Sequence, residues 1–386
     1  MDFSEPEYLS QLRDSLRKFL DAEASPETVA EWDRNDKIPL EIQAKFAELG
    51  VCAVTVPEEY GGVGHDVAAM ITTIEMLASR SLALAGLYIM VACYGGLNIA
   101  GSGSENQKRR FLPAIAQGQL RLAYGLSEPD VGADLASVTT RVERHGDKVI
   151  INGAKRWCSG AEISDYIFLL CRSDDPDARY KNLSIVLVPP DTPGVSITPI
   201  EVMGSHGIST TNVYLDNVEV PFDLVLGEEA GWNNGWTQLT GKALEAEKLE
   251  VPALALGVAE AAFAEAWQYS GERKQFGKPI SSYQSIRHVL ADCKTKLQAC
   301  RLMLYWCAWL SDSGQPTAAE SSMTKLFVTE NAKDIVLACQ QVLGAYGYAK
   351  GFGMERYVRD VLALPIYGGS SAIQRNNITA RLNLPR

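Results

Sequence analysis

The sequence predicts an α+β multidomain chain: an N-terminal α-helical domain over residues 1–120, a middle β-barrel-like domain over 121–230, and a C-terminal four-helix bundle over 231–386. Three observations predict it. The chain has 386 residues, more than the ~100–200 that one hydrophobic core usually organises. Helical apolar spacing in the first third gives way near residue 121 to short β-branched and alternating runs. From Gly231 onward long helical patterns return.

In chain order, Leu9, Leu12, Leu16 and Phe19–Leu20 recur at helical spacing behind Ser4-x-x-Glu7, which reads as a capping box. A turn-rich loop follows at Pro57–Gly64, and helices are predicted over Val67–Ala85 and Glu105–Gln117. Nothing between Arg80 and Glu105 carries a formal charge. A membrane span needs ~20 predominantly apolar residues. Here Gly95, Gly96, Asn98, Gly101, Ser102 and Gly103 end the apolar part near Tyr94, so a buried helix is expected. Strands are predicted around Val149–Ile151, Tyr166–Cys171, Leu183–Val188 and Val213–Val220, with Pro221 closing the last. Leu254–Tyr269, Tyr283–Leu310 and Ala318–Leu343 then supply the apolar faces of a helix bundle.

The net charge of −11 argues against nucleic acid and anionic membranes as partners, because both demand basic patches. Met1–Glu7 is acidic and lacks the pattern of a secretory leader, and none of the eight cysteines forms a C-x-x-C pair. A reduced cytoplasmic setting is therefore the expectation. Cys293, Cys300 and Cys307 recur every seven residues and read as core packing on one helix face; with the four histidines scattered, no metal site is expected. Gly62-Val-Gly64 and Gly101-Ser-Gly103 lack the third glycine of a dinucleotide fingerprint, and Gly235 with Gly241-Lys242 misses the P-loop spacing. There is no Gly-x-Ser-x-Gly elbow. A cofactor must sit on some other scaffold.

Other motifs supply that scaffold. Tyr124–Asp134 (YGLSEPDVGAD), Asn152–Ser159 (NGAKRWCS), Ser209–Pro221, Glu272–Gly277 (ERKQFG), Gln284, Gln341–Tyr348, Glu355–Asp360 and Ile366–Arg375 (IYGGSSAIQR) follow one another in order. Together they resemble the acyl-CoA dehydrogenases over almost the whole chain. The resemblance implies bound FAD, an acyl-CoA substrate, an electron-transfer flavoprotein as electron acceptor, and a homotetramer built as a dimer of dimers. It implies that Trp157 lies against the flavin ring and Ser159 donates near its N5. Leu126 and Ser127 would line the other edge, Gly132 and Ala133 would serve phosphate, and Tyr124 and Ser370 would add further cofactor contacts. Arg273, Phe276, Gln341 and Gly344 resemble residues that hold the FAD of a neighbouring subunit, and Gln284 resembles another FAD contact.

The chemistry needs a carboxylate to take the α-proton and hydrogen-bond donors to polarise the thioester. Many members of the family carry that glutamate where this chain has Gly368. Gly368 retains only its backbone N–H for the thioester carbonyl, with Gly369 beside it. A branch resembling isovaleryl-CoA dehydrogenase carries the base on the first long helix of the C-terminal domain. Counting back from Gly257, the position falls on Glu247, with Glu245 and Lys248 as pantetheine-side substrate contacts. The segment Lys242–Glu250 also reads as a solvated, charge-rich helix face. Pro252 marks either a kink one turn past the base or a helix break without a role. Two further readings stand beside dehydrogenation: a non-catalytic FAD-holding subunit of a mixed tetramer, and redox-neutral or reductive chemistry on a CoA ester.

Overall fold

Helices fill the chain from Glu7 to Ala116, before the first strand starts at Leu122. The computed structural model describes residues 4–384, apart from the side chains of Pro176, Lys242 and Ala243. The first helix, Glu7–Glu23, has Pro6 at its cap position and no side-chain cap bond, so the predicted Ser4–Glu7 box does not form. Such a box requires an N–H on the cap residue, which proline lacks. A true capping box opens helix Glu105–Ala116, where Ser104 and Gln107 satisfy each other's backbone N–H. The predicted helix Val67–Ala85 is two helices, Val67–Ala78 and Leu82–Tyr88, because the Ser81 hydroxyl caps the second. From Leu82 to Ser102 the chain continues helical through a π-turn at Ile89–Cys93; the stretch is long and apolar enough to cross a membrane but is packed in the protein interior.

The middle region is a curled seven-stranded sheet. Its strands are β1 (Leu122–Gly125), β2 (Arg141–His145), β3 (Lys148–Ser159), β4 (Tyr166–Arg172), β5 (Leu183–Val188), β6 (Val195–Ile200) and β7 (Thr210–Pro221). They run in the order β1-β4-β2-β3-β7-β6, with β5 on β4. β1 lies parallel to β4, and β3 pairs antiparallel with β7. The sheet curls without closing, since β6 pairs with β7 alone. Two register shifts interrupt the β3–β7 ladder, one between Ile151 and Gly153 and one between Arg156 and Cys158.

Helices Glu250–Glu272, Gln284–Asp312, Ala318–Leu343 and Met354–Ala363 form the C-terminal bundle, and Ser371–Arg381 packs on the third of them. The cysteine stripe is core: Cys293, Cys300 and Cys307 are all buried, and no metal-binding cluster occurs among the described residues. Helix Val67–Ala78 crosses Glu250–Glu272 so closely that a Cβ on Gly257 would lie 2.3 Å from the Glu75 carbonyl. Glu75 itself is buried and accepts from Arg301 (2.6 Å), Tyr305 (2.7 Å) and Arg13 (3.0 Å). Burial pushes its carboxyl up, but Arg301 and Arg13 outweigh this and hold it below its usual range. That crossing fixes the N-terminal helices against the bundle.

Candidate active site

Glu247 ends the short helix Lys242–Glu247, not the first long helix as expected. The chain turns at Lys248–Leu249, and the long helix begins at Glu250. Pro252 falls in its first turn, where a missing N–H costs no helical hydrogen bond. Proline therefore sits past a break and does not kink a continuous helix. The solvated-face reading fails, because Glu247 is 9% exposed and Glu250 4%.

All three regions of the chain meet at Glu247. Its Oε1 accepts from Asn98 Nδ2 at 2.5 Å and from the Tyr124 hydroxyl. Asn98 also donates to the Tyr94 carbonyl at 2.9 Å, and Tyr94 stacks on Tyr124 with ring centroids 3.8 Å apart. Oε2 accepts no hydrogen bond among the described residues. Burial raises the carboxyl above its ordinary range, and the hydrogen bonds from Tyr124 and Asn98 bring it part of the way back. Tyr124 was expected on the cofactor; its hydroxyl is instead committed to Glu247. Asn98 is the residue that sequence reasoning missed. Its signal was present, a single amide in an otherwise uncharged apolar stretch.

Gly368 lies at φ +63° with Val251 against it, and Gly369 at φ +78°. A Cβ on Gly368 would stand 2.9 Å from Val251 Cγ2. The carbonyls of both glycines accept from Gln374 Nε2, at 3.2 and 3.0 Å, while the Gly368 N–H makes no hydrogen bond among the described residues. Ser370 caps helix Ser371–Arg381 through the Ile373 N–H. Glu245 and Lys248 do not join Glu247. Glu245 accepts from Thr317 at 2.9 Å, and Lys248, pulled down by burial, faces Glu245, Arg381 and Cys307.

The second register shift of the sheet falls at Trp157, which takes φ +66° and leaves its indole 55% exposed. Bulges re-aim side chains in this way, and a non-glycine residue at positive φ is held there at a cost. The Ser159 hydroxyl lies beside Thr210, 3.2 Å away. Across from them, the Ser127 carbonyl accepts from the Arg156 N–H at 2.9 Å, which ties the segment after β1 to β3. Lys155, fully buried, reinforces this by donating to Glu128 at 2.9 Å and the Leu126 carbonyl at 3.2 Å. Gly132 has open space around its Cβ position. A half-exposed indole on a strained bulge, with the Arg156 guanidinium 4.9 Å from its ring centroid and the Ser159 hydroxyl two residues on, fits one side of an isoalloxazine ring.

Arg273, Phe276, Gln284, Gln341 and Gly344 lie apart from Trp157. Arg273 ends the long helix with its guanidinium over Tyr346, 5.5 Å from the ring centroid. Phe276 is 94% exposed at a hairpin tip and faces Tyr283, next to Gln284. Gln341 and Gly344 are exposed where helix Ala318–Leu343 ends. No hydrogen bond or ring contact joins this group to Trp157 or Ser159 among the described residues.

A pinned carboxylate and a half-exposed indole, on a helical–sheet–helical scaffold, fit the class of flavin-dependent oxidoreductases. Acyl-CoA dehydrogenase family models match in chain order, the N-terminal domain over residues 6–119, the middle domain over 123–218 and the C-terminal domain over 233–383. The chain is 36% identical over 373 residues to 3-(aryl)acrylate reductase of Clostridium sporogenes, covering 96% of this chain and 97% of that one. Butyryl-CoA dehydrogenase from Megasphaera elsdenii aligns with a TM-score of 0.94 at 28% identity, over 99% of this chain and 100% of that one. A chain in a structure of the electron transferring flavoprotein of Acidaminococcus fermentans aligns with a TM-score of 0.94 at 30% identity, over the full length of both. The chain belongs to the acyl-CoA dehydrogenase family, whose members are FAD-binding flavoproteins.

Proposed function

We propose that this chain catalyses α,β-dehydrogenation of an acyl-CoA thioester, with Glu247 as the base. One observation carries the reading: Glu247 Oε1 is pinned by Asn98 and Tyr124, while Oε2 accepts no hydrogen bond among the described residues. A general base needs a fixed carboxylate with one free lone pair and a basicity raised by burial. The α-carbon–hydrogen bond breaks as Glu247 takes the proton, and the Gly368 N–H donates to the thioester carbonyl as charge develops there. When bound, FAD supplies the acceptor for the β-hydride. Trp157 backs its ring and Ser159 offers a hydroxyl, while the tie from Ser127 to Arg156 keeps the two flanking segments in register.

Glu247→Gln tests the assignment, with anaerobic flavin reduction by a panel of acyl-CoA esters as the readout. A fall of at least about a hundredfold supports it. An unchanged rate removes Glu247 from the role.

The reverse direction is the second reading, favoured by the relative named as an acrylate reductase. A buried carboxyl raised above its ordinary range serves equally as the acid that protonates an α-carbon. Product analysis with and without an electron acceptor separates the two. The exposed group around Arg273, Phe276 and Gln341 supports a cofactor site completed by a second copy in a homotetramer. The likeness to the Acidaminococcus fermentans structure supports an electron-transferring flavoprotein as redox partner.

A further inference from the structure

The loop between β6 and β7 is tied to both of the other regions of the chain. Its Gly204 lies so close to helix Met354–Ala363 that a Cβ would stand 2.8 Å from the Arg359 carbonyl oxygen. Ser205, at φ +60°, donates its N–H to Asp360 Oδ1 at 2.7 Å. Arg359, the neighbour of Asp360, pairs with Asp33 of helix Pro26–Asn35 at 2.7 Å and reaches the Met203 carbonyl at 3.4 Å. The Gly207 N–H donates to Asp36 at 2.6 Å, and the Gly207 carbonyl accepts from the Ile38 N–H at 3.1 Å. Asp360 is 3% exposed, and burial raises its carboxyl to about 6. A carboxylate is held in the interior there, at a cost in desolvation, against one backbone N–H in a left-handed turn.

Two paths lead from this contact to the chemistry. Past Gly207, Ile208 packs on Gly160, where a Cβ would lie 3.2 Å from Ile208 Cγ2, and the Gly160 N–H donates to the Ser209 carbonyl at 2.9 Å. Thr210 then pairs with Ser159 in the β3–β7 ladder, so the loop sets where the bulge at Trp157 stands. In the other direction, helix Met354–Ala363 runs into the Gly368 turn, which the Tyr367 N–H fastens to the helix end through the Ala363 carbonyl at 3.2 Å. We infer that Asp360 is a positioning residue for hydride transfer: by holding the Ser205 N–H it fixes the Trp157–Ser159 bulge at a set distance from the Gly368 N–H. The inference rests on the reading that the flavin ring lies against Trp157 and the thioester on Gly368. Reacting atoms must be held in a near-attack geometry, and a misplacement of ~1 Å made far from the chemistry costs about a hundredfold.

The experiment compares Asp360→Asn, Asp360→Leu and Gly204→Ala with the wild type, each with flavin bound. Two quantities are measured: the fluorescence of the resting flavin, which an indole against the ring quenches, and the single-turnover rate of anaerobic reduction by acyl-CoA, counted per bound flavin. Asp360→Leu removes the acceptor, and Gly204→Ala pushes the same loop off the same helix from the opposite partner. Both are expected to raise the fluorescence and to slow reduction by about ten- to a hundredfold, with the acyl-CoA concentration for half-maximal rate little changed. Asp360→Asn, which keeps an acceptor oxygen, returns both quantities toward the wild type. In a Trp157→Phe background the fluorescence differences between the variants disappear. Wild-type fluorescence and rate per flavin in both Asp360→Leu and Gly204→Ala would overturn the assignment, as would a loss of rate that follows flavin content alone. Should Asp360→Leu fail to fold, Gly204→Ala and Asp360→Asn decide the matter. Failure of every acyl-CoA to reduce the flavin would instead sink the dehydrogenase reading, and unchanged fluorescence in Trp157→Phe alone would sink the placement of the ring.

Discussion

Val251 stands in the space that a side chain on Gly368 would need. A Cβ there would approach Val251 Cγ2 to 2.9 Å, on a backbone already at φ +63°. The loss of the usual base at this position is therefore built into the surrounding packing as well as the sequence. A glutamate at 368 would have to displace Val251.

The first prediction follows directly. Gly368→Glu is expected to destabilise the chain by about 1–3 kcal/mol, from the positive φ together with the overpacking against Val251. In a Glu247→Gln background it rescues no activity. Denaturant unfolding and single-turnover flavin reduction measure the two halves; recovery of the rate in the double variant contradicts the argument.

Asn98 and Tyr124 stabilise the charged form of Glu247, so losing either raises its pKa further. Asn98→Leu and Tyr124→Phe should each move the acid limb of the rate profile to higher pH, by on the order of one pH unit. The plateau at high pH is less affected. Rate–pH profiles of flavin reduction check this, and a shift toward lower pH would reverse the assigned sign.

Trp157 is strained and half-exposed, so its role is tested by holding the fold constant. Trp157→Gly should leave the apoprotein as stable or up to ~1 kcal/mol more so, because the positive φ becomes unstrained. Bound flavin per chain, read from its visible absorbance, should fall. A variant that retains full flavin content shows that the indole does not hold the ring.

Glu128 gives a pH signature to the segment that follows β1. Burial raises its carboxyl, but Lys155 and the hydrogen bonds from Thr140 and Thr139 outweigh this and pull it down to about 2. A depressed folded pKa contributes stability that is complete above the unfolded value of ~4.3 and is lost as pH falls toward 2. Glu128→Gln should therefore cost roughly 2 kcal/mol at neutral pH and less in acid. Melting curves of both proteins from pH 7 to pH 3 should converge; parallel curves would mean that the ion pair contributes nothing.

Much of this site can be read from residues in a row. Gly257 gives the register for Glu247 because a close helix crossing admits no side chain there, and the Glu75 carbonyl marks that crossing. Trp157 and Ser159 are legible as a motif, since alternation along β3 and one bulge set where they point. The helix end before Glu250 is half-legible: Pro252 signals a break without saying on which side the base falls. Tyr124 is legible as a motif residue but not as a partner of Glu247, because its side chain and its backbone serve different neighbours.

The order of helix, sheet and helix follows from hydrophobic period and turn residues, which act over a few positions, and the family motifs are likewise local strings. The environment of the base is not local. Asn98 lies 149 residues from Glu247 in sequence, and Glu250 looks like a surface charge until Cys93 and three tyrosines are packed around it. Burial, and with it the protonation of two glutamates three residues apart, is decided only when the three regions of the chain pack on one another. A carboxylate's chemistry depends on its dielectric surroundings and hydrogen-bond partners, and those come from distant parts of the chain.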